Sequence, residues 1–312
     1  KFILCSMTAS VKKTVDERYI DTITEVVNNL NADITEVEII LPAKKEEYRE
    51  KQTDFLPGKG LVVENKEAKN QKKENNPFFD KYTFENFVEG KSNNYALAAA
   101  KTVATNPGGQ YNPLFIYAGV GLGKTHLLHA IGNYIYKNSP KTKVVYVTTE
   151  QMVNEFVSLS LSKNNEDNNK FREKYHNCDV LMVDDVQFLE KRERTQEAFF
   201  NIFNDLYQTN KQIIITSDRS PKELGTTSDV QERLISRFAW GLTVDIQVPD
   251  TETRIAILKT KAAQEKFNLS DEVASFIAEN STSNIREMEG FLSSTVFYSS
   301  LLKEEVVTID SA

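Results

Sequence analysis

The sequence predicts an α/β protein: a parallel sheet covered by helices over residues 78–248, followed by a small all-helical unit over residues 249–312. Three observations predict it. Strand-sized apolar runs alternate with helical patterns through the middle of the chain, which is the signature of a parallel sheet. A glycine-rich turn joins one of those strands to the helix after it. Beyond Pro249 the patterns are mainly helical. Ahead of this core lie a partial α/β unit, residues 1–42, and a linker, residues 43–77.

Taken in order, Phe2-Ile3-Leu4 and Val37 to Leu41 read as short strands. Between them Val11, Val15, Tyr19, Ile23, Val26, Val27 and Leu30 form an apolar stripe at helical spacing. One helix and two strands are too little to close a core, so this is half of a small domain. Residues 43–77 are rich in Lys, Glu, Asn and Gln without apolar periodicity and read as a solvated linker. Then follow a strand at Leu114 to Gly119, a helix at Lys124 to Asn138 stopped by Pro140, and a strand at Lys143 to Thr149. A helix at Glu150 to Ser162 and a polar loop at Lys163 to Asn168 come next. The strand Val180 to Asp185, the helix Thr195 to Asn210 and the strands Gln212 to Ser217 and Leu242 to Val248 complete the core. Helices are expected at Thr251 to Phe267, Asp271 to Glu279 and Ile285 to Lys303.

The 312 residues carry 40% hydrophobic and 27% charged side chains, an ordinary globular balance. No run approaches the roughly 18 apolar residues of a membrane span, and Phe2 to Cys5 is too short for a signal-peptide core. The chain opens at Lys1, not Met, and is expected to be a trimmed piece of something longer; a cytoplasmic location is expected. A net charge of -7 argues against a dominant duplex-DNA surface while leaving room for a local basic strip. Cys5 and Cys178 have no partner at metal-like spacing and read as small buried hydrophobes. His126, His129 and His176 are expected to pack or to lie on the surface.

The chemistry concentrates in Ala118-Gly119-Val120-Gly121-Leu122-Gly123-Lys124-Thr125. It follows a strand and opens a helix, the context of a phosphate-binding P-loop. Glycines let successive backbone N–H groups face one anion, and the helix N-terminus adds partial positive charge. Lys124 is placed to reach the β- and γ-phosphates of ATP, and the Thr125 hydroxyl to ligate Mg²⁺. Ala118 departs from the strict pattern, which has glycine there; one methyl is a mild change beside the loss of Gly123 or Lys124. The second element is the strand Val180 to Val183 ending in Asp184-Asp185, at the sheet edge where phosphates lie in α/β proteins. Asp184 is assigned to Mg²⁺ and Asp185 to the attacking water.

Longer segments then match one family. Asn112 to Tyr117, Gly119 to Leu128, Ala130 to Asn133, Asp184 to Leu189, Thr195 to Phe200, Ser217 to Arg219, Arg233 to Leu242 and Ser283 to Gly290 resemble the bacterial replication-initiator family DnaA, of the AAA+ class. Residues 2–41 are similar, more loosely, to the second half of that family's N-terminal interaction domain. The resemblance implies an AAA+ P-loop core with a helical lid. It implies nucleotide contacts from Val88 and Gly90, through the segment Phe87 to Gly90, and from Gly119, Val120, Gly121, Leu122, Gly123, Lys124, Thr125 and His126. Asp218 resembles sensor 1. Arg286 resembles sensor 2 and is implied to read the γ-phosphate in its own subunit. Arg237 resembles an arginine finger completing the neighbour's site, with Arg233 one helical turn earlier at the same subunit interface. Val157 and Arg194 match positions that touch single-stranded DNA, with Lys191 and Arg192 adding charge.

Plainer readings stay open for these side chains: a salt bridge to Glu232 for Arg233, and an ordinary charged turn for Lys191 to Arg194. The resemblance further implies an ATP-dependent self-assembling filament, slow switch-like ATP hydrolysis because Asp185 stands where most AAA+ motors carry glutamate, and a replicative helicase contacted through the N-terminal unit. The family's duplex-reading helix-turn-helix domain does not fall within these residues, so specific duplex binding is not expected of them. The competing functions are a DnaC-like helicase loader, a P-loop kinase or phosphotransferase, and a nucleotide-binding module that never hydrolyses.

Overall fold

The computed structural model describes residues 2–5, 37–40, 76–161, 165–265, 267–281 and 284–302. The chain divides into two units, Lys1–Gln71 and Lys72–Ala312. In the first, β1 (Phe2–Cys5) and β2 (Val37–Ile40) pair in parallel, Phe2 opposite Val37 and Cys5 opposite Ile40. The helix expected at Val11 to Leu30 and nearly all of the linker lie outside the described residues.

The second unit holds a five-stranded parallel sheet in the order β4-β5-β6-β3-β7. Its strands are β3 (Leu114–Ala118), β4 (Val144–Thr148), β5 (Val180–Asp184), β6 (Gln212–Ser217) and β7 (Leu242–Ile246). β6 is inserted between β3 and β5, which the sequence order does not suggest. Alternation along the strands feeds two cores. Leu114, Ile116, Val180, Met182 and Ile214 pack with α1 (Asn94–Thr105) and α2 (Lys124–Asn138) on one face. Phe115, Leu181, Val183, Ile213 and Ile215 pack on the other with Phe199, Phe203 and Phe238. That face is covered by α3 (Thr149–Leu161), α4 (Asn165–His176), α5 (Glu193–Gln208), α6 (Pro221–Thr227) and α7 (Glu232–Phe238).

Two expectations need correction. Of the polar loop expected at Lys163 to Asn168, the residues from Asn165 onward are helical and belong to α4. The helix α1 was not foreseen at all. Its buried stripe is mostly alanine (Ala96, Ala99, Ala100, Ala104), which lets it lie close on α2 but gives little apolar periodicity.

At the N-terminal end of the sheet, polar side chains close loops onto strands. Gln212, 1% exposed, accepts from Gly108 N–H at 2.9 Å and donates to the Tyr111 carbonyl at 3.0 Å. Asn112 donates to the Lys211 carbonyl and accepts from Ile213 N–H. Asp179 accepts from Lys143 N–H at 2.9 Å and pairs with Lys211 at 2.5 Å.

The remaining helices, α8 (Thr251–Gln264), α9 (Asp271–Asn280) and α10 (Ile285–Leu302), share their own core around Leu258, Val273, Ile277, Met288 and Leu292. Asp250 caps α8 through Thr253 N–H at 2.8 Å, and Asn284 Oδ1 accepts Glu287 N–H at 2.8 Å at the start of α10. Val88, from the segment before α1, packs into this helical core. Among the described residues no helix is long and apolar enough to cross a membrane.

Candidate functional site

β3 ends in the glycine-rich loop and α2 leaves it. Gly121 and Gly123 have φ of +74° and +101°, a left-handed backbone that glycine adopts without strain. A β-carbon on Gly121 would also stand 2.9 Å from Asn284 Oδ1, so the loop and the start of α10 approach closely. Lys124 is 7% exposed and donates to the Ala118 and Gly119 carbonyls at 2.9 and 3.1 Å. Burial pulls its pKa down, while Asp185, Asp184 and Asp218 act to raise it and Arg286 adds to the lowering.

Asp184, 3% exposed, is held by hydroxyls from three elements. Thr125 donates to its Oδ2 at 2.9 Å, Tyr146 to the same oxygen at 3.1 Å, and Thr216 to Oδ1 at 2.5 Å. Burial, then the Asp184 charge, pushes the Tyr146 phenol up, so it stays a donor. Thr216 also accepts from Asp185 N–H at 2.9 Å. Asp185 sits in the left-handed region, φ 58°, at the head of a 3-10 turn, Val186–Leu189. Burial and then Asp184 raise its pKa, against the lowering pull of Gln187, Lys124 and Arg286. Gln187 donates to Asp185 Oδ1 and accepts from Asp218 N–H, each at 3.2 Å. Asp218, just beyond β6, is chelated by Arg219 at 2.7 and 2.9 Å.

These groups open into a cavity of about 280 Å³ between the loop, the strand ends, the segment before α1 and the helical unit. Val88, Val120, Gly121, Leu122, Gly123, Lys124, Thr125, His126, Asp185, Asp218 and Arg286 all line it. The residues predicted for the chain's own nucleotide site are therefore brought together, with three exceptions. Asp184 stands just behind the wall, bonded to Thr125. Gly119 contributes the carbonyl that Lys124 binds. Gly90 is absent from the wall; a β-carbon there would lie 2.5 Å from Thr253 Oγ1, so its glycine serves close approach to α8.

At the far end of the cavity His126 is neutral. Burial takes its pKa down to about 4, and its Nε2 donates to the Thr83 carbonyl at 2.9 Å. Its ring contacts Tyr82 and Phe87 at 4.9 and 5.1 Å, and Lys261, paired with Glu289 at 2.8 Å, lies over Tyr82. Sequence reasoning missed Tyr82, Lys261, Tyr146 and Thr216. It quoted Gln187 within a motif but gave it no role.

Arg237 does not line its own cavity. Its guanidinium lies 3.8 Å from the Trp240 ring centroid and donates to Asn204 Oδ1 at 2.9 Å. Arg233 lies over Phe200 at 4.5 Å and donates to Gln231; among the described residues it forms no ion pair with Glu232. Phe200, half-buried, is shared by both arginines. Val157 and Arg194, from α3 and α5, meet in one open groove with Phe156, Lys191 and Arg192. Val157 is 47% exposed there.

The inserted β6, the phosphate loop and the helical unit across the cavity define the class: a P-loop protein of the AAA+ type. A family model described as the bacterial DnaA ATPase domain matches residues 78–245. The chain is 48% identical over 295 residues to the chromosomal replication initiator protein DnaA of Caldanaerobacter subterraneus subsp. tengcongensis, covering 95% of this chain and 63% of that protein. Domain III of the Thermotoga maritima replication initiation protein DnaA superposes with TM-score 0.70 at 45% identity, covering 75% of this chain and 95% of that one. A replication initiator DnaA bound to AMPPCP and single-stranded DNA superposes with TM-score 0.63 at 41% identity, covering 70% of this chain and 65% of that one. The chain belongs to the DnaA family. It spans 63% of the length of the curated relative it matches.

Proposed function

We propose that this chain is the ATP-switched assembly core of a chromosomal replication initiator, acting in the cytoplasm. ATP binding arranges copies into a filament that grips one DNA strand, and slow hydrolysis resets it. The observation that carries this reading is the separation of two arginines: Arg286 reaches the chain's own cavity, whereas Arg237 is held outside it on Trp240 and Asn204. An arginine so placed serves a neighbour's γ-phosphate.

The residues divide the work. Backbone N–H groups of the loop and the start of α2 take the phosphates, and Lys124 leaves its loop carbonyls for the β- and γ-oxygens. Thr125 on the wall and Asp184 just behind it, 2.9 Å apart, offer the hydroxyl and carboxylate oxygens that suit Mg²⁺ and would hold it, where it would neutralise phosphate charge. Asp185 orients the attacking water, and its short side chain makes turnover slow. Tyr82, Phe87 and Val88 surround the adenine. Val157 and Arg194, which share one open groove, contact single-stranded DNA; a relative of known structure is bound to AMPPCP and single-stranded DNA. Residues 1–42 contact the replicative helicase in the complete protein.

The test is fluorescence anisotropy of a labelled single-stranded oligonucleotide, titrated with the chain in a non-hydrolysable ATP analogue and in ADP. Tight binding is expected only with the ATP analogue, and Arg237→Ala is expected to abolish it. Equal binding in both nucleotides, or an unaffected variant, overturns the reading. Turnover on the order of ten per second or more by the isolated chain would overturn the slow switch.

A further inference from the structure

We infer that Gln187 is a positioning residue for hydrolysis, a neutral bridge that sets the Asp185 carboxylate against the backbone of Asp218. The inference rests on the reading of Asp185 given above. Gln187 stands two residues beyond Asp185, in the 3-10 turn, half-buried on the cavity wall. Its amide meets an acceptor at one end and a donor at the other. As a carboxylate oxygen, Asp185 Oδ1 can only accept, so the NH₂ group faces it; Asp218 N–H can only donate, so the amide oxygen faces that. The orientation of the amide is thus dictated by its two partners.

The bridge joins the ends of β5 and β6 one step further toward the cavity than Thr216, whose hydroxyl already links them. Asp185 directly follows β5 in a left-handed conformation, and its N–H is already committed to Thr216. Its carboxylate hangs from one torsionally soft bond, and engaging Oδ1 fixes the plane that the cavity sees. Asp218 has its own carboxylate neutralised by Arg219, so the bridge takes its backbone. A charged residue in place of Gln187 would serve less well. Glutamate keeps the acceptor for Asp218 N–H, loses the donor to Asp185 and sets two carboxylates side by side.

Phosphate release from radiolabelled ATP by the chain, with nucleotide affinity measured in parallel, tests this. Gln187→Ala and Gln187→Glu are each expected to lower kcat by about tenfold to a hundredfold, with the Kd for ATP within about twofold of the parent. The double variant Asp185→Asn with Gln187→Ala is expected to be no slower than Asp185→Asn by itself, because the bridge acts only through that carboxylate. Unchanged kcat in both single variants, a parallel loss of nucleotide affinity, or multiplying effects in the double variant would overturn the inference. Equal phosphate release by the parent and Asp185→Asn would overturn the reading of Asp185 itself, and the inference with it.

Discussion

Both ends of the sheet gather polar side chains, and they use them in opposite ways. At the N-terminal end Gln212, Asn112 and Asp179 are spent on the protein's own backbone, closing the loops that lead into β3, β4 and β6. At the C-terminal end Thr125, Tyr146 and Thr216 converge on one carboxylate, and Lys124, Asp185, Asp218 and Arg286 face a cavity. The same five parallel strands therefore end in a structural seam on one side and a reactive surface on the other. A buried polar residue in this protein is not by itself a mark of function; which end of the strand it terminates decides.

The difference can be broken experimentally, and the largest effect is expected at the reactive end. Lys124→Ala should weaken ATP binding by about 100-fold, the worth of a charge-assisted contact, with the melting temperature shifted by only a few degrees. Isothermal titration alongside calorimetry checks both halves. At the opposite end, Gln212→Leu strands Gly108 N–H and the Tyr111 carbonyl. It should cost about 2 kcal/mol of stability and leave the ATP affinity of the folded protein unchanged, as urea titration and nucleotide binding would show. Thr216→Val sharpens the contrast, since it lies at the reactive end and supports without touching. It should slow hydrolysis about tenfold while nucleotide affinity holds.

The smallest effect belongs to Asp179. Its hydrogen bond from Lys211, then that from Lys143 N–H, lowers its pKa below the ordinary value of 3.8. A depressed folded pKa gives stability that is present above the unfolded value and lost as pH falls through the folded one. The pair is more than one-third exposed, so the contribution should stay below about 1 kcal/mol. The gap in urea midpoint between the parent and Asp179→Asn should close as pH falls from about 5 through the lowered folded pKa.

Much of this arrangement was legible in the sequence because it rests on local pattern. The five core strands and the helices α2, α3, α5 and α8 to α10 follow from apolar periodicity, each strand within a residue or two of its observed ends. The P-loop and the acid-tipped strand were legible because strand-loop-helix context and residue type coincide at adjacent positions. What escaped depends on register between strands. Tyr146 reaches Asp184 because β4 runs beside β5 with Thr148 opposite Asp184, and Thr216 follows Ile215, which faces Val183. No spacing along one segment announces those meetings. The helix α1 escaped for another reason. Its apolar face is built from alanine, and Asn93 at its start spends its side chain on Gly90 N–H and the Val88 carbonyl instead of capping. Gly90, which the family resemblance implies as a nucleotide contact, belongs to a segment whose Phe87 and Val88 line the cavity, and its own close neighbour is Thr253.

The run from Asp184 to Arg194 has a mechanical meaning. It leaves β5, passes a left-handed residue at Asp185, makes one 3-10 turn, passes a second left-handed residue at Lys191 and enters α5. Val186 and Leu189 anchor the turn in the core, and Gln196 from α5 reaches back to the Leu189 carbonyl at 2.9 Å. Lysine has no local compensation for a left-handed backbone, which costs it about 1–2 kcal/mol. The chain accepts that cost to keep the link short. It is a short link anchored along its length: the Asp185 carboxylate faces the cavity at one end, Arg194 lines the groove at the other, and Val186 and Leu189 are buried between them.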